Sequence, residues 1–237
     1  MSKNNSISLL LTACIIFLLT GCAYPKEKLQ QNQVPYEDQI SAVQKAVDNF
    51  QKDNDGILPI KTKDLSTPIY QKYPIDFKKL TPKYMAEPPG NAFESGGVFQ
   101  YVLVDVEKKP TVKIFDLRIA ETIRDLKLHL KAKKYPPYKE VLTNNVFSLD
   151  YKKLGYDEEP LVTSPYSNQG LPLIITGESE IYVDYRKDLA QALQKNNDYK
   201  PGEDIRDILV KDSIFVPAYS LPYTIDEKTE EPIFLEK

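Results

Sequence analysis

Apolar residues enter this chain as one block and then settle into a rhythm. Ile7 to Leu19 is an almost wholly apolar run behind Lys3. At about 13 residues it is shorter than the roughly 20 that a spanning helix needs, and it has the build of a signal-peptide core. The first periodic element is a helix over Glu37 to Lys52, with Ile40, Val43, Val47 and Phe50 on one stripe and Asn54-Asp55-Gly56 as its stop. A Tyr/Pro-rich segment then runs to Gly97, interrupted by a short helix near Asp76 to Leu80. Val98 to Asp105 and Thr111 to Phe115 read as a hairpin turned at Glu107-Lys108-Lys109-Pro110. Asp116 caps a second helix that runs to about Lys133, striped by Ile119, Ile123, Leu126 and Leu130. A second Tyr/Pro segment leads to another hairpin, Leu171 to Thr176 and Glu180 to Tyr185, and to a third helix carrying Leu189, Ala192 and Leu193. The tail predicts a short helix at Asp204 to Leu209, then strands at Ser213 to Pro217, Tyr219 to Ile225 and, at an edge, Pro232 to Leu235.

This order repeats, and residues repeat with it. Ile75-Asp76-Phe77-Lys78-Lys79-Leu80 answers to Leu149-Asp150-Tyr151-Lys152-Lys153-Leu154. Gly97 answers to Gly170, and Phe115-Asp116-Leu117-Arg118 to Val183-Asp184-Tyr185-Arg186. The fold class expected is α+β: two tandem related modules, each a helix packed on an antiparallel hairpin, with a C-terminal β extension. The expected divisions are a signal peptide at 1–21, a lipidated cysteine and tether at 22–36, modules at 37–116 and 117–185, and C-terminal helices with the β extension at 186–237. Extended, the stretch after Cys22 reaches at most about 45 Å, and as a flexible coil roughly 20 Å.

Leu19-Thr20-Gly21-Cys22 resembles a bacterial lipobox. That resemblance implies a diacylglyceryl group on the Cys22 sulfur and cleavage before it. The expected localisation is the extracytoplasmic face of the cell membrane, held by lipid. Two acyl chains, at about 0.8 kcal/mol per buried CH₂, anchor stably where one is marginal. Cys14 lies in the leader, so no disulfide is expected within a mature chain, and thiol catalysis and cysteine zinc sites drop out. A net charge of −3 from 31 basic and 34 acidic residues offers no field for nucleic acid.

Candidate chemistry is thin. His129, the single histidine, cannot build a Ser-His or His-metal-His arrangement and reads as a boundary residue. Asp53-Asn54-Asp55-Gly56 has the centre of a calcium loop, but Gln51 and Thr62 stand where its first and last ligands belong. Asp157-Glu158-Glu159 and Glu230-Glu231 read as solvated loop charge rather than a catalytic pair. Gly96-Gly97 lacks the downstream residues of a phosphate loop. No catalytic residue, metal or cofactor is expected, so the reading is non-enzymatic. The positive signal is tyrosine beside proline: Tyr135, Tyr138, Tyr166, Tyr219 and Tyr223 are the candidate binding surface, rigid aromatics on stiff loops.

From the lipobox to Phe215-Val216-Pro217-Ala218-Tyr219-Ser220-Leu221-Pro222-Tyr223, the chain resembles a family of lipoproteins of Bacillus-like bacteria, some labelled as transporter binding proteins. The resemblance carries over no catalytic residue. Val47 to Pro59, Leu80-Thr81-Pro82-Lys83-Tyr84 and Gly97 to Tyr101 are similar in order to pseudopilin head domains, although a lipobox stands where the pilin helix belongs. The expected function is an accessory or scaffolding lipoprotein that binds an envelope protein near the membrane, with no nucleic-acid partner. The alternatives are a solute-binding lipoprotein serving a transporter and, third, a cell-wall enzyme using paired carboxylates.

Overall fold

A computed structural model describes residues 37–195 and 198–236. Cys22, the leader and the tether lie outside the described residues. The first helix, α1 (Glu37–Asp53), buries Ile40, Val43, Ala46, Val47 and Phe50. Each fully buried Val or Ile contributes roughly 1.5–3 kcal/mol, so this stripe is what holds the helix down. Its stop works as the residues suggest: the Asn54 amide donates to the Phe50 carbonyl at 2.7 Å, and Gly56 takes a left-handed φ of 84°. Strands β1 (Phe99–Val104) and β2 (Thr111–Asp116) pair antiparallel, from Phe99 opposite Asp116 to Val104 opposite Thr111. α1 lies on β2, where Gln44 accepts from the Val112 N–H at 2.7 Å and donates to the Pro110 carbonyl at 3.0 Å. On the other side of β1 runs residues 73–75, with the Ile75 N–H on the Tyr101 carbonyl and the Leu103 N–H on that of Tyr73. A four-residue helix, α2 (Phe77–Leu80), follows, started by Asp76 and burying Phe77 and Leu80.

The second half repeats this plan. α3 (Arg118–Lys131) buries Ile119, Ile123 and Leu126. The strand β4 (Val146–Leu149) pairs with β6 (Gly170–Thr176), which pairs in turn with β7 (Ile181–Val183), all antiparallel. Between β4 and β6, Asp150 stands where Asp76 does in the first half, but accepts from the N–H three residues on, that of Lys153, rather than two. Tyr151 and Leu154 are buried there, as Phe77 and Leu80 are in the first half. After β7 comes α4 (Arg186–Leu193). The mixed α+β class with antiparallel hairpins is therefore as expected.

Three strands were not foreseen. β3 (Tyr138–Thr143), β4 and β5 (Leu161–Thr163) all fall in the second Tyr/Pro segment, and together they enlarge the second sheet to five strands. The turn joining β3 to β4 has Asn145 at a φ of 62°, which asparagine tolerates better than most residues. β3 hid from the pattern because Tyr138 to Val141 are all exposed, so no alternation marks a buried face.

The tail joins the halves. The helix α5 (Ile208–Lys211) is followed by residues 214–216 lying parallel to β2, with the Ile114 N–H on the Ile214 carbonyl and the Val216 N–H on that of Ile114. Three residues later the Tyr219 carbonyl accepts from the Val183 N–H on β7 at 2.7 Å. This stretch thus straps the edge of one hairpin to the edge of the other. Under it Val102, Phe115, Val210, Val216 and Ala218 form a small joint cluster between two larger cores. A last hairpin, β8 (Tyr223–Ile225) with β9 (Pro232–Phe234), closes the second core.

Candidate functional site

One local device recurs at three of the turns into a helix. In Asp116-Leu117-Arg118, Asp184-Tyr185-Arg186 and Asp204-Ile205-Arg206, the Asp carboxylate accepts the N–H of the arginine two residues on, and the guanidinium Nε forks back onto both oxygens. The third copy reaches furthest. Arg206 is buried, donates to the Ser220 carbonyl at 3.2 Å, and lies 5.2 Å from the centre of the Tyr70 ring, so it ties the tail to the first module.

Arg206 forms part of the floor of the larger cleft between the modules, which has a volume of 730 Å³. Ser66, Pro68 and Ile69 of the first module form one wall. The β3–β4 turn, Thr176 to Tyr182 and the tail segments Ser220–Pro222 and Phe234–Glu236 form the rest. The Asn145 amide donates to both Glu178 oxygens at 2.9 Å, and its own Oδ1 accepts from the Gly177 N–H at 3.1 Å. A Cβ on Gly177 would stand 2.2 Å from that oxygen, so a larger residue there would push the Asn145 side chain out of this arrangement. The Asn145 hydrogen bond, then the Glu178 backbone N–H and Thr176, hold the Glu178 carboxyl below the usual range. Glu236 accepts from the Thr143 hydroxyl at 2.8 Å, and Glu180 pairs with Lys127 at 2.7 Å. With Arg206 neutralised by Asp204, the rim is acidic. It surrounds apolar surface from Ile69, Leu221 and Leu235.

A second, smaller cleft of 310 Å³ is lined by Tyr166 and Asp188, with Lys195 and Lys211 at its mouth. Asp188 is buried and its two oxygens accept from the Ser164 hydroxyl at 2.7 Å and the Ser167 hydroxyl at 2.6 Å. Burial pushes its carboxyl above the usual value, and the serines oppose that. Ser164 also accepts from the N–H groups of Tyr166 and Ser167, so this carboxylate pins the loop before β6 to α4. Sequence reading passed over Asp188 because an acid in a helix's first turn is ordinary, and its serines lie more than twenty residues away.

The five candidate tyrosines do not gather on one surface. Tyr135 just before β3 and Tyr138 at its start are exposed, Tyr138 stacked on Phe147 at 4.4 Å. Tyr166 lines the smaller cleft, and Tyr219 packs edge-on against Phe115 at the joint between the modules. Tyr223 corrects the expectation of a contact residue. It is wholly buried, where its hydroxyl donates to the Val183 carbonyl at 3.2 Å and accepts from the Tyr185 N–H at 3.1 Å. The Tyr-Pro spacing shows stiffness and says nothing of direction. His129 sits at the boundary, its ring on Tyr156 and its Nδ1 3.0 Å from the Leu154 carbonyl. Asp53, the last residue of α1, makes a surface ion pair with Lys83.

Among the described residues no cluster of His, Cys, Asp and Glu could hold a metal ion, and no helix is long and apolar enough to cross a membrane. No curated protein and no solved structure matches the chain. Residues 36–116, which span α1 through the last residue of β2, match the model of the YphF family N-terminal domain.

Proposed function

We propose that this protein is a lipid-anchored extracytoplasmic accessory or scaffolding protein, and that the cleft between its modules receives a segment of another envelope protein. The observation that carries the reading is the make-up of that cleft. Five separate stretches of chain, together with Arg206, converge on it, with an acidic rim around exposed apolar side chains such as Ile69. Such a surface offers a partner both charge steering and apolar contact. The Leu19–Cys22 motif and the lipoprotein resemblance support the anchor, and the short tether keeps the cleft close to the bilayer.

The test is a photo-reactive residue at Ile69 or Glu236 of the full-length protein in cells, followed by mass spectrometry of what it captures. One abundant envelope protein, taken from both positions and not from Lys45 on the outer face of α1, is the expected result. Scattered neighbours from all three positions would sink the reading. The volume of the cleft, within the range of small-molecule sites, favours a second reading as a solute-binding protein for a transporter. That reading predicts a rise in Tm with a specific solute, abolished by Arg206→Ala or by filling the cleft with Ser220→Trp.

A further inference from the structure

Charge is unevenly placed around the cleft between the modules. Its charged lining residues are Arg206 and the acids Glu178, Glu180 and Glu236. Asp204 neutralises Arg206, and Lys127 pairs with Glu180. Glu178 and Glu236 have no cation within ion-pair distance among the described residues. Both are nonetheless fixed by the β3–β4 turn, Glu178 by the Asn145 amide and Glu236 by the Thr143 hydroxyl. An ionised carboxylate has about four acceptor sites, so each keeps some that the turn does not use. Thr176, 8% exposed and on the same lining, has a hydroxyl with no hydrogen-bond partner. A buried donor left unused is costly, and a carbonyl would satisfy it.

The cleft also runs on at both walls. Ile69 is shared with a cavity of 340 Å³ on the first module, and Thr143 and Glu236 with one of 400 Å³ on the second module and tail. A compact solute would fill the centre alone, whereas an extended chain, at about 3.3 Å per residue, can lie along all three. Apolar surface lines that course: Ile69 is 58% exposed, and Leu221 and Leu235 are partly so.

We propose that the occupant of the cleft is an extended protein segment with basic residues between apolar ones. It is the partner segment inferred above, and the assignment rests on that reading. Its basic side chains pair with Glu178 and Glu236, its apolar ones lie on Ile69, Leu221 and Leu235, and a backbone carbonyl takes the Thr176 hydroxyl. One strand can do all of this, because residues two apart share the face turned to the cleft. An acidic segment meets two fixed like charges and is rejected.

Fluorescence anisotropy on the full-length protein in phosphatidylcholine nanodiscs tests this. The probes are a dye-labelled peptide, Leu-Ser-Lys-Ser-Lys-Ser-Leu, and its counterpart with glutamate for both lysines; empty nanodiscs correct for binding to lipid. The lysine peptide is expected to bind saturably and the glutamate peptide not at all. Glu178→Gln and Glu236→Gln should each weaken binding about tenfold. The double variant E178K/E236K should reject the lysine peptide and accept the glutamate one, whereas Glu158→Lys, outside the cleft, changes neither. Circular dichroism checks that all variants fold alike. A lysine peptide that fails to bind up to millimolar concentration overturns the proposal. So does binding indifferent to both glutamine variants, or a preference that the double variant does not exchange. If capture in cells from Ile69 and Glu236 still returns one envelope protein, only the basic character of the segment is wrong. If that capture is scattered as well, the accessory reading falls with it.

Discussion

Asp184 grips Arg186 with the same fork that joins Asp116 to Arg118 and Asp204 to Arg206, but the three pairs stand in different surroundings. The Arg118 side chain is 52% exposed and that of Arg206 only 10%. Exposed pairs contribute little, whereas breaking a buried one strands its partners. Arg118→Ala should therefore cost under about 1 kcal/mol and Arg206→Ala about 3 kcal/mol, both read from urea unfolding. Tyr223→Phe removes one hydroxyl but leaves the Tyr185 N–H and the Val183 carbonyl without it, for an expected loss of about 2 kcal/mol. Asp188 carries a pH signature. Its folded pKa is raised above the unfolded value, so its contribution is greatest at low pH and falls as pH rises through the folded pKa. Asp53, Asp150 and Asp226 have lowered values and act in the opposite sense, losing stability on acidification. The difference between Asp188→Asn and the parent isolates the first effect. It should favour the variant increasingly as pH rises from about 4 and then level off. A difference that is flat with pH would mean that burial does not perturb this carboxyl.

At the level of elements, the helices and the hairpins β1–β2 and β6–β7 were legible because each buries one face and so writes a period into the chain. α1 and α3 show their stripes at spacings of three and four, and Asp76 and Asp116 mark helix starts by chemistry that a reader can see. β3 was illegible for the opposite reason: with Tyr138 to Val141 all exposed, neither face leaves a mark. The cleft was legible only as a boundary between modules, since its walls meet from residues as far apart as Ser66 and Glu236. The repeat aligned Gly97 with Gly170, and the structure separates their roles. A Cβ on Gly97 would lie 2.1 Å from the backbone of Asn91, which cannot yield. On Gly170 it would meet the Leu161 side chain at 2.6 Å, and Leu161 is exposed and free to swing away. Gly97→Ala should thus cost about 3 kcal/mol or more and Gly170→Ala about 1 kcal/mol, measured by denaturant midpoint.

On the scale of the whole molecule, two cores of similar design are coupled through the five buried residues of the joint cluster. Ala218→Asp sets an unpaired charge at its centre, where the strap crosses from β2 to β7. Calorimetry should then resolve two unfolding transitions in place of one, and a single transition at lower temperature would show that the modules are coupled elsewhere. The strap also imposes an order in time. Lys113 on β2 donates to the Ser213 carbonyl, 100 residues further along the chain. At about 5–20 residues per second, the ribosome needs roughly 5–20 s to make that interval. Throughout it, the outer edge of β2 stands bare beside a core that still lacks Ile214 and Phe215. The nascent first module is thus a sheet open to the wrong strand, and whatever shields it during those seconds bears on how much of the protein reaches its final form.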